Sequence, residues 1–267
     1  MNRKTREEFI TTNEYLQFTE FCNSCRHCRY IGLYYGIPGV GKTFSARNYS
    51  QWDKVEKLLD KPLLSSPIRG LNKEKDITLF YTCPVTATPS RIEREIEEQR
   101  MALAILLQAS MKAQRRHVTI DDMLRRQSLI MIDEADRLKA SALEQIRDIY
   151  DRLGKGIILI GMPGIEKRLS RYSQLYSRVG FIHQAKALKN DEIYKIIEDK
   201  WQDFWPQENG GSQKKETISA IIRITRGNFR LLNRLMMQID RIMEVNHFDF
   251  INKEAVETAR EFLIIGL

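Results

Sequence analysis

Five short apolar runs punctuate the first two thirds of the chain: residues 30–35, 77–83, 128–133, 156–161 and 179–183. They are rich in β-branched and aromatic residues and apolar throughout, the pattern of strands in a parallel sheet covered on both faces. Between them apolar residues recur every three or four positions, as on helices. Tyr49, Trp52, Val55 and Leu59 form one stripe, and Ile92, Ile96, Leu103, Leu106 and Leu107, opened by Thr88-Pro89, form a second. Leu143, Ile146, Ile149, Tyr150 and Leu153 form a third, stopped by Gly154. Strands alternating with helices predict a doubly wound α/β core. Beyond residue 187 the strand signals cease. Asn190 or Asp191 opens a helix carrying Ile193, Ile196, Ile197 and Trp201, a loop spans 206–213, and helices follow at about 215–226, 228–245 and 252–264. The expected organisation is an N-terminal helical extension (1–27), an α/β domain (28–186) and a small helical domain (187–267).

The first strand runs into Gly36-Ile37-Pro38-Gly39-Val40-Gly41-Lys42-Thr43, which fits the phosphate-binding pattern G-x-x-x-x-G-K-[ST] at every fixed position. Strand, glycine loop and helix together aim backbone N–H groups and a helix N-terminus at a polyphosphate. The expected nucleotide site is Gly36, Ile37, Pro38, Gly39, Val40, Gly41, Lys42, Thr43 and Phe44. Lys42 would reach the β and γ phosphates of ATP, and the Thr43 hydroxyl would sit on Mg²⁺. The third strand ends in Asp133-Glu134, the Walker B form. Asp133 would orient the waters of the Mg²⁺ ion, and Glu134 would polarise a water for attack on the γ phosphate. Hydrolysis is expected in preference to phosphoryl transfer to a metabolite. Lys42 and Glu134 are the catalytic candidates of this half of the site.

The net charge of +8 suggests an anionic partner, nucleic acid first and an acidic membrane second. No apolar stretch approaches the ~20 residues of a membrane span, and the N-terminus lacks the apolar core of a signal peptide, so a cytoplasmic protein is expected. Cys22, Cys25 and Cys28 form C-x-x-C-x-x-C beside His27. One reading is a metal site. The other is that Phe18, Phe21 and the three cysteines mark the buried side of a helix, with the thiols as small hydrophobes.

The order of these motifs, with Asp133-Glu134-Ala135-Asp136-Arg137-Leu138 and then a helical domain, resembles the AAA+ ATPases over about residues 28–245. Tyr176-Ser177-Arg178-Val179-Gly180-Phe181 is similar to the element that carries the arginine finger, and Arg226-Gly227-Asn228-Phe229-Arg230 to sensor 2 at the start of a lid helix. The resemblance implies that Arg178 reaches the γ phosphate bound by a neighbouring subunit, with Arg168 or Arg171 as alternatives, and that Arg230 contacts the nucleotide in cis. It departs from the family at the end of the fourth strand, where Gly161-Met162-Pro163-Gly164 stands in place of a polar sensor 1. A thioether positions water poorly.

Within that superfamily the chain looks most like the transposon-encoded TnsC, TniB and Mu B proteins. That likeness implies an ATP-dependent oligomer, ring or filament, that binds double-stranded DNA largely without sequence preference and recruits or activates a transposase, with a target-selection protein as a further partner. A separate N-terminal DNA-binding domain of the Mu B kind is not expected. The stretches matching the family's DNA-contacting surface contain Thr88, Ser90 and Arg91, and Lys112, Arg115 and Arg116; Arg125 and Arg126 are a third candidate. Backbone phosphates ask only for positive charge and small donors, which these supply. Two other readings stay open: a helicase loader or replication initiator, and a nucleotide-switched signalling NTPase that binds no nucleic acid. No nuclease carboxylate cluster is visible.

Overall fold

The computed structural model describes residues 9–59, 77–112, 117–202, 205, 211–248 and 250–263. It divides into two compact units, one of Tyr15–Ile37 and Lys42–Ala185, the other of the N-terminal residues to Glu14, Pro38–Gly41 and Lys186 onward.

The first unit is built on strands β1 (Ile31–Tyr35), β2 (Ile77–Thr82), β3 (Gln127–Asp133), β4 (Gly156–Gly161) and β5 (Val179–Gln184). Every pairing is parallel, and the order is β2-β3-β4-β1-β5. Its helices are α1 (Asn13–Cys28, which begins in the other unit), α2 (Lys42–Tyr49), α3 (Trp52–Leu59), α4 (Pro89–Lys112), α5 (Ile120–Arg126), α6 (Ala140–Leu153), α7 (Ile165–Leu169) and α8 (Ser173–Tyr176). Both faces of the sheet are covered. Adjacent residues of a strand face opposite sides: Phe80 of β2 packs near Trp52 of α3, while the Tyr81 hydroxyl donates to Glu95 of α4 at 2.8 Å. β4, flanked by β3 and β1, is buried at all six residues. β5 differs from the expectation of a fully apolar, covered strand. It lies at an edge and its burial alternates, with Ile182 half exposed.

α1 packs against β1 through Phe18, whose ring lies 4.4 Å from that of Tyr34, and through Phe21. The approach is close enough that a Cβ on Gly32 would come within 2.4 Å of the Cys25 sulfur. Phe18, Phe21, Cys22 and Cys25 are buried, but Cys28, at the last helical position, is exposed; the stripe drifts off the buried face as 3.6-residue turns accumulate. Burial raises the thiol pKa of Cys22 well above its usual range and that of Cys25 to about 12, so both remain protonated. The stripe from Tyr49 to Leu59 is not one helix either. Gln51, at φ +54°, separates α2 from α3.

The second unit is helical: α9 (Asn190–Lys200), α10 (Gly211–Thr225), α11 (Phe229–Asn246) and α12 (Lys253–Glu261). α10 begins at Gly211, so the tail of the expected 206–213 loop is helix. Ile193, Ile196, Ile197, Ile218, Ile221, Leu232, Leu235 and Ile239 form one buried cluster with Trp201 and Trp205. Each such aliphatic side chain contributes about 1.5–3 kcal/mol on burial. Asn228 and Asn252 cap α11 and α12, accepting from Leu231 N at 3.1 Å and Ala255 N at 2.7 Å. α9 starts at Asn190 itself, after Lys189, whose N–H donates to Glu192 at 3.0 Å.

Candidate functional site

In open parallel sheets, ligands bind beyond the carboxyl ends of the strands where the order reverses. Here that point is β1, which hydrogen-bonds to β4 on one side and β5 on the other. The loop leaving β1 turns through Gly39 (φ +84°) and Gly41 (φ +101°), conformations glycine adopts without strain, and delivers the chain into α2 at Lys42. The N-terminus of α2, the positive end of its dipole, therefore follows directly on the loop. Lys42 Nζ donates to the carbonyls of Gly36 at 2.6 Å and Ile37 at 3.1 Å, and lies 4.0 Å from the Met162 sulfur.

β3 brings up the second half. Thr43 and Asp133 stand 90 positions apart in the chain, yet the Thr43 hydroxyl donates to Asp133 Oδ2 at 2.8 Å. The other carboxylate oxygen accepts from Glu134 N at 2.9 Å. Burial raises the pKa of Asp133, and the Thr43 and Glu134 hydrogen bonds pull it back. A buried carboxylate beside a threonine hydroxyl is a hard oxygen pair that fits Mg²⁺, which otherwise keeps waters and phosphate oxygens as ligands. Glu134 follows in the left-handed region at φ +56°. Its carboxylate is half exposed and lies 3.6 Å from Arg137 Nη2.

The sensor 1 position is occupied by Met162, about a third exposed. Its backbone N–H donates to Asp136 Oδ2 at 2.7 Å, so this aspartate fixes the end of β4. Arg168 donates to the carbonyls of Asp136 at 2.7 Å and Ala135 at 2.9 Å, holding the 3-10 turn Ala135–Arg137 within its own subunit. Arg178 makes a bidentate pair with Asp151 of α6, at 2.6 and 2.7 Å, and donates to the Gln174 carbonyl. Asp151 also accepts from Arg147 at 2.9 Å, and Arg178 first among these holds its carboxyl below the usual range. Arg171 is exposed.

Pro38–Gly41, the crest of the phosphate loop, groups with the helical unit. Within that unit Arg230 N donates to Gly39 O at 2.9 Å and Asn228 Nδ2 to Pro38 O at 2.8 Å. A Cβ on Gly39 would come within 2.4 Å of Asn228 Oδ1. The Arg230 side chain is exposed. The sequence reading gave no role to Asn228 or Arg137. A polar residue one position before a helix signals a cap, and an arginine three residues after a carboxylate signals a pair.

The stretches expected to meet DNA fall, among the described residues, at the two ends of α4 and at the end of α5. Thr88, Ser90 and Arg91 stand exposed at the start of α4, and Arg91 is paired with Glu95 at 2.7 Å. Lys112 ends the same helix, 23 residues and so roughly 35 Å from Pro89. Arg115 and Arg116 lie outside the described residues. Arg125 and Arg126 end α5, where Asp121 lies 4.0 Å from Arg125. Among the described residues no group of three or more His, Cys, Asp or Glu side chains is arranged to hold a metal, and no helix is long and apolar enough to cross a membrane.

Comparison with known proteins agrees with this geometry. Residues 26–169 match the family model for the AAA domain. The chain is 42% identical to a potential ATP-binding protein of Staphylococcus aureus, over 98% of both chains. It is 27% identical to the ATP-dependent target DNA activator B of Escherichia phage Mu, over 76% of this chain and 57% of that one. The fold is that of the Thermotoga maritima RuvB Holliday junction branch migration motor, with a TM-score of 0.57 and 18% identity over 96% of this chain and 70% of that one. Matched over more than half its length by that model, and nearly end to end by the potential ATP-binding protein, the chain belongs to the AAA-domain family and is an AAA+ ATPase similar to the Mu B activators.

Proposed function

We propose that this ATPase uses ATP and Mg²⁺ to assemble on double-stranded DNA, largely without regard to base sequence, and in that state recruits or activates a transposase at the target site. The observation that carries this reading is the similarity to the phage Mu target DNA activator, which covers 76% of this chain. The work is assigned to the cytoplasm, where DNA and ATP are both present.

The chemistry follows from the residues in place. Lys42 exchanges the Gly36 and Ile37 carbonyls for β and γ phosphate oxygens, and the N–H groups of the loop and of the α2 N-terminus take the remaining charge. Mg²⁺, held by Thr43 and the waters around Asp133, neutralises charge on the phosphates when bound. Glu134 accepts a proton from the attacking water. Arg230 meets the nucleotide in cis. Arg178 reaches it from a neighbouring copy, for which it must leave Asp151; this makes turnover depend on assembly. Thr88, Ser90 and Arg91 at one end of α4, and Lys112, Arg115 and Arg116 at and beyond the other, supply phosphate contacts to DNA.

The test is retention of a fluorescent duplex with ATP, a non-hydrolysable analogue or ADP, over a salt series. Retention should require triphosphate, fall steeply between about 50 and 200 mM salt, and vary little with sequence. Where a transposase gene lies alongside, its product should be co-retained only in the triphosphate state. A protein that hydrolyses ATP but holds no duplex in any nucleotide state would refute the DNA reading.

A further inference from the structure

The chain reaches α11 through two consecutive left-handed residues, Arg226 at φ +48° and Gly227 at φ +77°. This turn is pinned to the approach to α9. Leu188 N donates to Gly227 O at 2.9 Å, and a Cβ on Gly227 would come within 2.3 Å of Leu188 O. Asn228 therefore stands in a fixed place, and its side-chain amide is engaged at both ends. Oδ1 accepts from Leu231 N at 3.1 Å, which caps α11, and Nδ2 donates to Pro38 O at 2.8 Å. These partners settle which way round the amide sits, since an N–H only donates and a carbonyl only accepts. Two positions on, Arg230 N donates to Gly39 O at 2.9 Å. Successive carbonyls of the phosphate loop are thus held by the first turn of one helix.

That grip has a consequence for the opposite side of the loop. No described peptide bond is cis, and in a planar trans peptide the C=O and N–H point in opposite directions. Holding Pro38 O and Gly39 O toward α11 turns the N–H groups of Gly39 and Val40 away from it. Among the described residues neither of these N–H groups has an acceptor. They are the donors with which a glycine-rich loop cradles phosphate. Gly39 leaves room for the arrangement, because a Cβ there would come within 2.4 Å of Asn228 Oδ1.

We propose that Asn228 is a positioning residue for nucleotide binding: its amide, together with the main chain of Arg230, sets the peptide planes at the crest of the phosphate loop so that their N–H groups meet the β phosphate. The proposal rests on reading Gly36–Thr43 as the nucleotide site. It gives the start of α11 a task separate from that of the Arg230 side chain, because only the N–H of Arg230 takes part. Donors that are already aimed lose less free energy to ordering when the ligand arrives. ADP and ATP share the β phosphate, so both gain equally, which a contact with the γ phosphate cannot achieve.

Asn228→Ser tests this. Serine keeps a neutral acceptor for the cap, but its hydroxyl ends one bond short of the amide nitrogen that reaches Pro38. Dissociation constants for fluorescent ADP and ATP analogues, measured without DNA, should both rise about two- to tenfold, the scale of one hydrogen bond. KM for ATP should rise with them, and kcat should change less. A cooperative thermal transition reports that the variant is folded. If it is not, Asn228→Asp carries the test, keeping a cap without a donor. Its added charge also repels phosphate, and salt separates the two effects: a deficit that persists at about 0.5 M salt is the lost donor, while one that vanishes is repulsion alone and overturns the proposal. Unchanged affinity for both nucleotides, or a deficit for ATP but not ADP, would also overturn it. Lys42→Ala is the control for the underlying reading. If that variant binds nucleotide as tightly as wild type, the loop is not the site and the proposal falls with it. If it loses binding while Asn228→Ser does not, the site stands and only the role of Asn228 is lost.

Discussion

Thr43→Val keeps the shape of the side chain and removes one hydroxyl, which isolates the link between the two halves of the site. That hydroxyl donates to Asp133 Oδ2 at 2.8 Å, and Asp133 is only 5% exposed. A hydrogen bond to a buried charged acceptor is worth about 1.5–3 kcal/mol, and water does not easily replace it there. The variant should be destabilised by that amount at neutral pH. The deficit should also depend on pH. Burial already raises the Asp133 pKa, and Thr43 is the largest influence opposing it, so its removal raises the value further. The contribution of Thr43 is present while the carboxylate is ionised and is lost as pH falls through the raised folded-state pKa. Destabilisation should therefore narrow between about pH 7 and pH 4. Urea unfolding followed by Trp52 fluorescence, with Trp201 and Trp205 replaced by Phe, reports the α/β unit alone. ATP turnover should collapse in the same variant, and Thr43→Ser should restore both. A deficit below about 0.5 kcal/mol, or one equal at both ends of the pH range, would show that the carboxylate does not depend on this hydroxyl.

Glu134→Gln should bind ATP as wild type does but turn over about 10²–10⁴-fold more slowly, and should hold duplex at least as persistently; loss of nucleotide binding in it counts against its role as base. Arg178→Ala should bind nucleotide as a monomer yet lose about 10³–10⁵ in turnover, and mixing it with Lys42→Ala should restore part of the activity as concentration rises. A loss of a few-fold without rescue would leave Arg178 as the partner of Asp151 and direct attention to Arg171. A disulfide reagent should modify one thiol per native chain, Cys28, and all four in urea, since Cys22, Cys25 and Cys83 are buried. Fast reaction of a second thiol in the native state would refute that packing.

The strands were legible because each is a short apolar run bounded by turn residues, and their limits fall within a residue of the reading from sequence at either end. The same logic overreached where burial is partial. At the edge, β5 has only β1 as a neighbour, so one of its faces is released to solvent and the expected covering fails. Gln51 broke a periodic stripe without a glycine or proline to announce it. In the site, motif spacing placed Thr43 in the first turn of α2 and Asp133 at the end of β3, since both are fixed by backbone position. For Arg137 and Asn228 spacing points only to the Glu134 pair and the helix cap; their contacts with the Cys83 and Pro38 carbonyls leave no trace in residue identity. The ionic engagement of Arg178 with Asp151 depends on packing across 27 positions, which no local pattern encodes.

The placement of β4 between β1 and β3 bears on how such a chain can change over generations. The gap between Thr43 and Asp133 is spanned by a buried strand, about two strand spacings of ~4.8 Å between the outer axes, and not by any stretch of connecting sequence. Loops that do not bear on β4 can therefore diversify among descendants while this spacing stays fixed. A single volume change at Ile158, at the centre of β4, would instead move both rims at once, so drift should be slowest in a strand that contributes no catalytic side chain.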